Sequence, residues 1–171
     1  MDIELTDVFR VAYYGLFVTC AATDIWLMRI PNTLVLVLLA LFVAAALLGS
    51  DQIQWLHHVI PAVIAFGIGA ALFYFGKFGG GDVKLLSVAV LWVGLADLSQ
   101  FLIVLGIAGI VLLLVFQRVR MPALFGLTRL QEASGLKFRM PKALDTATHL
   151  PYGVAIAVAA LVAAGNLPLI Q

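Results

Sequence analysis

Charged residues are scarce in this sequence. Only 11% of its 171 residues are Asp, Glu, Lys or Arg, whereas 64% are hydrophobic. An ordinary soluble domain is about half apolar and about one quarter charged. The apolar excess is too large for a single globular core, and it occurs in long runs that contain few charges. Such runs predict helices that span a membrane.

Cysteine and the common cofactor motifs are also missing or rare. The one cysteine, Cys20, lies within an apolar run, which excludes an intramolecular disulfide and a zinc site built from several cysteines. The sequence has no phosphate-binding loop, dinucleotide fingerprint or H-E-x-x-H metal motif. We therefore expect no cofactor and no metal. The net charge of +1 gives no indication of a nucleic-acid partner.

Six apolar segments remain, separated by short stretches of turn-forming residues. The first segment is predicted to be a retained span, because the acidic start MDIELTD lacks the basic segment of a secretory signal. The six segments together predict an all-α integral membrane protein, a bundle of six transmembrane helices in a single domain over residues 1–171. The predicted spans are Val8 to Ala22, Thr33 to Gly49, Trp55 to Phe75, Val83 to Ala96, Phe101 to Phe116 and Tyr152 to Leu167.

Basic residues are distributed unevenly between the two sides of this bundle. If the spans alternate in direction, nine of the ten Lys and Arg residues lie on the side of Arg29, and only Arg10 lies on the other. Basic residues in short loops favour the cytoplasmic side of a membrane. We therefore predict that Arg29 faces the cytoplasm and that both termini lie outside.

The longest polar stretch, residues 118–149, joins the fifth and sixth predicted spans. It carries six basic residues against Glu132 and Asp145. We predict a cytoplasmic loop with an interfacial helix that rests on anionic lipid headgroups. A surface that docks the substrate is the alternative interpretation.

Two aspartates lie at the predicted cytoplasmic boundary. Asp24 ends the first span in TDIWLMRIPN, and Asp82 opens the fourth in FGGGDVKLL. Two crossings separate them, so they lie at similar depth, although the sequence does not show that they meet. Ionisable residues in such positions usually face the bundle interior or a water-filled cavity. Two close carboxyl groups share a proton, so that one can take a proton from water while the other polarises a carbonyl.

Structural roles are also open for these residues. Asp82 could be the N-cap of the fourth helix, and Gly79 to Gly81 could end the third helix and form a turn. Asp24 could be an interfacial carboxylate near Arg29. Lys84 points to a different helix face from Asp82. We expect Lys84 to reach lipid headgroups, and a secondary catalytic role is the less favoured alternative.

Three motifs, in this order along the chain, resemble those of a known family: TDIWLMRIPN, GGGDVKLL and HLPYGVAI. GGGD, Gly79 to Asp82, fits the G-x-G-D motif of intramembrane aspartic proteases. The three together resemble the bacterial prepilin peptidases, or type IV leader peptidases, and most closely the short form that serves Flp (tight-adherence) pili. Long prepilin peptidases carry a cysteine-rich cytoplasmic segment and also methylate the pilin. This chain has no such segment, which puts methyltransferase activity in doubt.

The resemblance implies an enzyme of the bacterial inner membrane that cleaves prepilins on the cytoplasmic side, usually after a glycine. The substrate would comprise a basic leader and a hydrophobic helix, and contact with the pilus assembly machinery would be compatible with this role. Asp24 and Asp82 would be the catalytic pair. Gly79 and Gly81 would be the motif glycines. Structural or substrate-shaping positions would be Arg29, Pro31, Asn32, Pro151, Tyr152 and Gly153.

Two functions from other classes remain as alternatives. A small proton-coupled transporter or channel also needs intramembrane carboxylates and a glycine hinge, but here both aspartates lie at one boundary instead of the midplane. A non-catalytic subunit of a secretion complex would need neither aspartate. The effect of Asp24→Asn and Asp82→Asn on prepilin cleavage separates these functions.

Overall fold

A computed structural model describes residues 3–48, 53–134 and 150–166 of the chain. These residues form α-helices and one short 3-10 helix, and they contain no β-strand. The all-α class predicted from the sequence is therefore confirmed. The helices are α1 (Ile3–Leu27), α2 (Asn32–Leu48), α3 (Trp55–Tyr74), α4 (Gly80–Val93), α5 (Leu98–Ser134) and α6 (Tyr152–Ala163), and the 3-10 helix is Ala164–Asn166.

Three helical segments are long and apolar enough to cross a membrane: Leu5–Leu27, Trp55–Tyr74 and Leu98–Arg118. Helices α2 and α6 are apolar but shorter. Helix α4 has 14 residues, which gives a length of about 21 Å against a hydrocarbon core of about 30 Å. The structure therefore supports a membrane protein, whereas the count of six spans stays a prediction.

Helices α4 and α6 are the inner helices of the bundle. Helix α4 packs against α2, α3, α5 and α6, and α6 packs against α1, α4 and α5. Most residues of both inner helices are buried. In contrast, α3 and α5 expose many large apolar side chains, and such surfaces are typical of contact with a membrane or a partner. The short helices are thus enclosed by longer ones.

Two buried hydrogen bonds cross the core and connect helices that carry the site described below. The hydroxyl of Tyr13 in α1 donates to the carbonyl of Ala160 in α6 at 2.9 Å. The indole Nε1–H of Trp92 in α4 donates to the carbonyl of Leu38 in α2 at 3.1 Å. A buried polar group without a partner is costly, so these bonds favour one alignment of each helix pair.

Helices α3 and α4 approach each other closely at Gly69. A Cβ atom added there would lie 2.9 Å from Cγ1 of Val83, the residue after Asp82. A larger residue at this crossing would require the Val83 side chain to shift. Small residues of this kind let helix backbones come together in membrane proteins, and here the close approach fixes the start of α4.

Residues 118–134, the first part of the predicted cytoplasmic loop, are helical. Helix α5 continues without a break through residues 118–134 and contains Pro122. Most residues of this segment have a good helix propensity, although it is less apolar than the first part of α5. The first part of the predicted loop is therefore the last part of α5, on which Phe125 and Leu130 are exposed, and its position at a membrane interface stays a prediction. The remainder of the predicted loop, 135–149, lies outside the described residues.

Candidate active site

Asp24 lies in the last turn of α1, and this helix ends in an uncommon way. Met28, the first residue after α1, has a φ of 51°, in the left-handed region. Its N–H donates to the carbonyl of Asp24 at 2.9 Å. This is the αL form of a helix C-terminus, in which glycine or asparagine is the usual residue. The turn directs the chain back toward Ile30 and the start of α2.

The turn between α3 and α4 ends α3 at a different glycine from the one expected. Gly76 has a φ of 67°, and its N–H donates to the carbonyl of Phe73. The N–H of Lys77 donates to the carbonyl of Leu72, which completes a Schellman motif. The suggestion that Gly79 to Gly81 end the third helix is therefore wrong, because Gly76 has that role.

Asp82 lies in the first turn of α4, and Gly79 is the N-cap residue. Asp82 is thus three residues inside the cap instead of being the N-cap itself. Its carboxylate accepts a hydrogen bond from the backbone N–H of Gly79, as the acidic residue of a capping box does. A carboxylate at this place is also stabilised by the helix macrodipole. Asp82 therefore helps to start α4 while its side chain faces the interior.

The two motif glycines lie where an added side chain would require a neighbouring residue to shift. A Cβ atom at Gly79 would lie 2.7 Å from Oδ2 of Asp82, and one at Gly81 would lie 3.2 Å from Cβ of Ile30. At Gly80 the nearest atom, on the ring of Phe73, would be 3.4 Å away, which is an ordinary contact. The close contacts therefore occur at Gly79 and Gly81, the two fixed glycines of the G-x-G-D pattern, and not at Gly80, its variable position.

Helix α6 supplies a third component of the site. The backbone N–H of Gly153 donates to Oδ2 of Asp24 at 2.8 Å and also interacts with the carboxylate of Asp82. Pro151 is the N-cap residue of α6, and the ring of Tyr152 packs on Phe78 with centroids 5.3 Å apart. The Pro-Tyr-Gly segment thus brings one N–H group between the two aspartates.

Asp24 and Asp82 lie together in the interior. Their exposed fractions are only 5% and 8%, and the two carboxylates interact electrostatically. Both line a cavity of about 490 Å³ at one end of the bundle. Such a pair can share one proton and so provides an acid and a base at one place. The cavity is lined by Asp24, Leu27, Met28, Arg29, Ile30, Pro31, Asn32, Gly79, Gly80, Gly81 and Asp82.

The polar residues at the edge of this cavity are exposed. Lys84 donates from Nζ to Oδ1 of Asn32 at 2.9 Å, which connects α4 to the first residue of α2. Arg29 is exposed, whereas Asp24 is buried, and within the described residues these two form no ion pair. Within the same residues no group of three or more His, Cys, Asp or Glu side chains could hold a metal ion.

Two residues of the site were not singled out by the sequence. Ile30 is buried beside Gly81 and Gly153, and Met28 forms the left-handed turn. Both lie within the segment TDIWLMRIPN, so the motif included them, but nothing in their residue types indicates these roles. An isoleucine in an apolar sequence gives no separate signal, and methionine is an uncommon residue for a left-handed turn.

The comparison with known proteins agrees with this geometry. The model of the type IV leader peptidase family matches residues 11–114, which is more than half of the chain and includes Asp24 and Asp82. No curated protein and no solved structure matches the chain. The resemblance seen in the motifs is therefore confirmed at the level of the family: the chain belongs to the type IV leader peptidase family.

Proposed function

We propose that this protein is a membrane-embedded aspartic endopeptidase that removes the basic leader from prepilins at the cytoplasmic face of a bacterial inner membrane. Membership of the family implies a protease with prepilin substrates. One observation carries the aspartic mechanism. Asp24 of α1 and Asp82 of α4 line the same cavity, and the N–H of Gly153 lies between them.

In the proposed reaction the two aspartates share the acid and base roles. The ionised carboxylate takes a proton from a water molecule, whose oxygen attacks the carbonyl carbon of the scissile peptide bond. The protonated carboxyl polarises the carbonyl oxygen. The C–N bond of the tetrahedral intermediate then breaks, and a proton passes to the leaving amine, which becomes the N-terminus of the mature pilin.

The start of α4, from its N-cap residue Gly79 to Gly81 in its first turn, is suited to contact with an extended peptide. Gly79 is exposed, whereas Gly80 and Gly81 are half-buried, and all three line the cavity. Because these residues lack side chains, a peptide can approach their backbone closely. Irregular backbone at this depth is tolerated where it borders a cavity. We assign Gly79 and Gly81 to this role, beside their packing role.

The cytoplasmic orientation is proposed from the basic residues at the cavity end of the bundle. Arg29, Lys77 and Lys84 all lie in or next to the segments that form this end. Six alternating spans with this end inside place both termini outside, in accordance with the positive-inside rule. The absence of a cysteine-rich segment in the sequence supports the short Flp-type form, with peptidase and without methyltransferase activity.

Co-expression with a Flp-type prepilin tests this function. We expect the wild-type protein to convert precursor to mature pilin on a gel, and we expect Asp24→Asn and Asp82→Asn to leave only precursor while they remain folded and inserted. Gly106→Ala is a suitable control, because Gly106 lies on α5 with no atom within 4 Å of an added Cβ. Maturation by either aspartate variant would refute the catalytic pair. Proton-coupled transport without a peptide product would favour the transporter.

A further inference from the structure

Ile30 contacts both glycines that hold the two aspartates. Its side chain is 7% exposed and borders the cavity. On one side its Cβ lies so close to Gly81 that a Cβ atom added there would be 3.2 Å away. On the other side its Cδ1 lies so close to Gly153 that an added Cβ would be 2.8 Å away. Ile30 therefore fills the space between the start of α4 and the start of α6.

Each of these glycines is directly connected to an aspartate. Gly81 precedes Asp82 in the chain, so a shift of Gly81 moves the Asp82 backbone. Gly153 donates its N–H to Oδ2 of Asp24, so a shift of Gly153 lengthens or breaks the hydrogen bond to that carboxylate. Protein interiors are close-packed and transmit such displacements.

We propose that Ile30 is a positioning residue for the reaction, a spacer between Gly81 and Gly153 that sets the separation of the Asp24 and Asp82 carboxylates. This inference rests on the proposed function in so far as the two aspartates react with substrate. An isoleucine that only fills the core would alter the amount of folded protein. A positioning residue also alters the geometry of the aspartate pair in the protein that does fold.

Cross-linking measures this geometry without any cleavage. Asp24→Cys and Asp82→Cys are combined in a Cys20→Ala background, and the membranes are treated with a short bifunctional thiol reagent. Because Asp24→Cys removes the hydrogen bond from Gly153, this pair reports the effect of Ile30 that passes through Gly81. We expect a cross-link when residue 30 is isoleucine and a different cross-linking rate with Ile30→Ala, because loss of the spacer changes the separation of the two thiols. Leu38→Ala is the matched control, since Leu38 is a fully buried apolar side chain of α2 away from the cavity. Equal cross-linking rates for Ile30→Ala and Leu38→Ala would overturn the inference.

Kinetics of prepilin cleavage supply the second readout. We expect Ile30→Ala to lower kcat by about 10- to 100-fold per folded molecule, with KM unchanged, because small misplacements of reacting groups cost this much. Ile30→Val removes only Cδ1, so we expect kcat to fall by a smaller factor than in Ile30→Ala. If Ile30→Ala does not fold, the kcat of Ile30→Val tests the inference in its place. A kcat of wild-type size in the valine variant, together with an unchanged cross-linking rate, would contradict the inference. Failure of the wild type to cleave prepilin would refute the proposed function. The positioning role of Ile30 would still be tested, because the cross-linking rate does not depend on cleavage.

Discussion

The hydrogen bond from Gly153 to Asp24 leads to a prediction for Gly153→Ala. The backbone N–H of Gly153 lies 2.8 Å from Oδ2 of Asp24. A Cβ atom on this residue would lie 2.7 Å from the same oxygen and 2.8 Å from Cδ1 of Ile30. Both distances are too short for carbon, so the Asp24 carboxylate and Cδ1 of Ile30 must move to make room for the methyl group. We expect this movement to weaken or break the hydrogen bond from Gly153 to Asp24.

The expected loss of activity follows from the value of this bond. A hydrogen bond to a charged group contributes about 1.5–3 kcal/mol. If the bond acts on the reacting state, its loss lowers kcat by about 10- to 150-fold, since about 1.4 kcal/mol corresponds to a factor of ten. Alanine has a better helix propensity than glycine, so the helix itself does not explain a loss.

Purified enzyme in detergent or liposomes, with a prepilin as substrate, gives the kcat values for this test. Gly106→Ala is the matched control, because it makes the same chemical change in a helix without any neighbour within 4 Å. Adding Ile30→Val should not restore the kcat of Gly153→Ala, because the second substitution removes the close contact with Cδ1 of Ile30 but leaves the close contact with Asp24. Activity of Gly153→Ala within about twofold of wild type would refute the reasoning, because twofold corresponds to less than 0.5 kcal/mol.

Three further substitutions test other parts of the site. Gly79→Ala should lower kcat strongly, since its Cβ would lie 2.7 Å from Oδ2 of Asp82; the same cleavage assay measures this, and a normal rate would contradict the packing argument. Met28→Gly should raise the free energy of unfolding by up to about 1 kcal/mol, because glycine adopts a left-handed φ without steric cost; a lower unfolding temperature in detergent would count against the strain. Lys84→Met removes an exposed hydrogen bond to Asn32 and should change kcat by less than about tenfold, since such a bond contributes about 0.5–1.5 kcal/mol. A much larger loss, with the variant still folded, would make Lys84 part of the catalytic machinery.

The positions of the two aspartates could be predicted from the sequence by counting apolar segments. Two predicted crossings between Asp24 and Asp82 would return the chain to the same side, and the structure has both residues at one cavity. The crossings themselves stay a prediction, because the helix Asn32–Leu48 between the two aspartates is shorter than the candidate spans. Their contact could not be predicted, because it depends on α4 and α6 packing inside the other helices.

The hydrogen bond from Gly153 to Asp24 could not be predicted from the sequence for a related reason. The two residues are 129 positions apart, and every residue except proline has a backbone N–H, so the residue type does not indicate this bond. The same applies to Ile30, whose contacts with Gly81 and Gly153 come from two separate segments. Long-range packing of this kind is set by shape complementarity of side chains and not by local pattern.

Local signals were misleading in two places. Two glycine sites, Gly76 and Gly79 to Gly81, lie close together after α3, and both suit a helix end. The Schellman bonds of Gly76 and Lys77 identify the former. In α5 the apolar run stops before Arg118, but the helix continues to Ser134, because backbone hydrogen bonding follows helix propensity and not hydropathy.

The central claim is that Asp24 and Asp82 together carry the hydrolysis, and cleavage by purified protein tests it most directly. The measurement is the rate of prepilin cleavage by wild type, Asp24→Asn and Asp82→Asn, each reconstituted in liposomes and checked for folding by its unfolding temperature. The account predicts that each variant is at least about 100-fold slower than wild type, as expected for loss of a general acid or base. A folded variant of either kind that cleaves at the wild-type rate would contradict it.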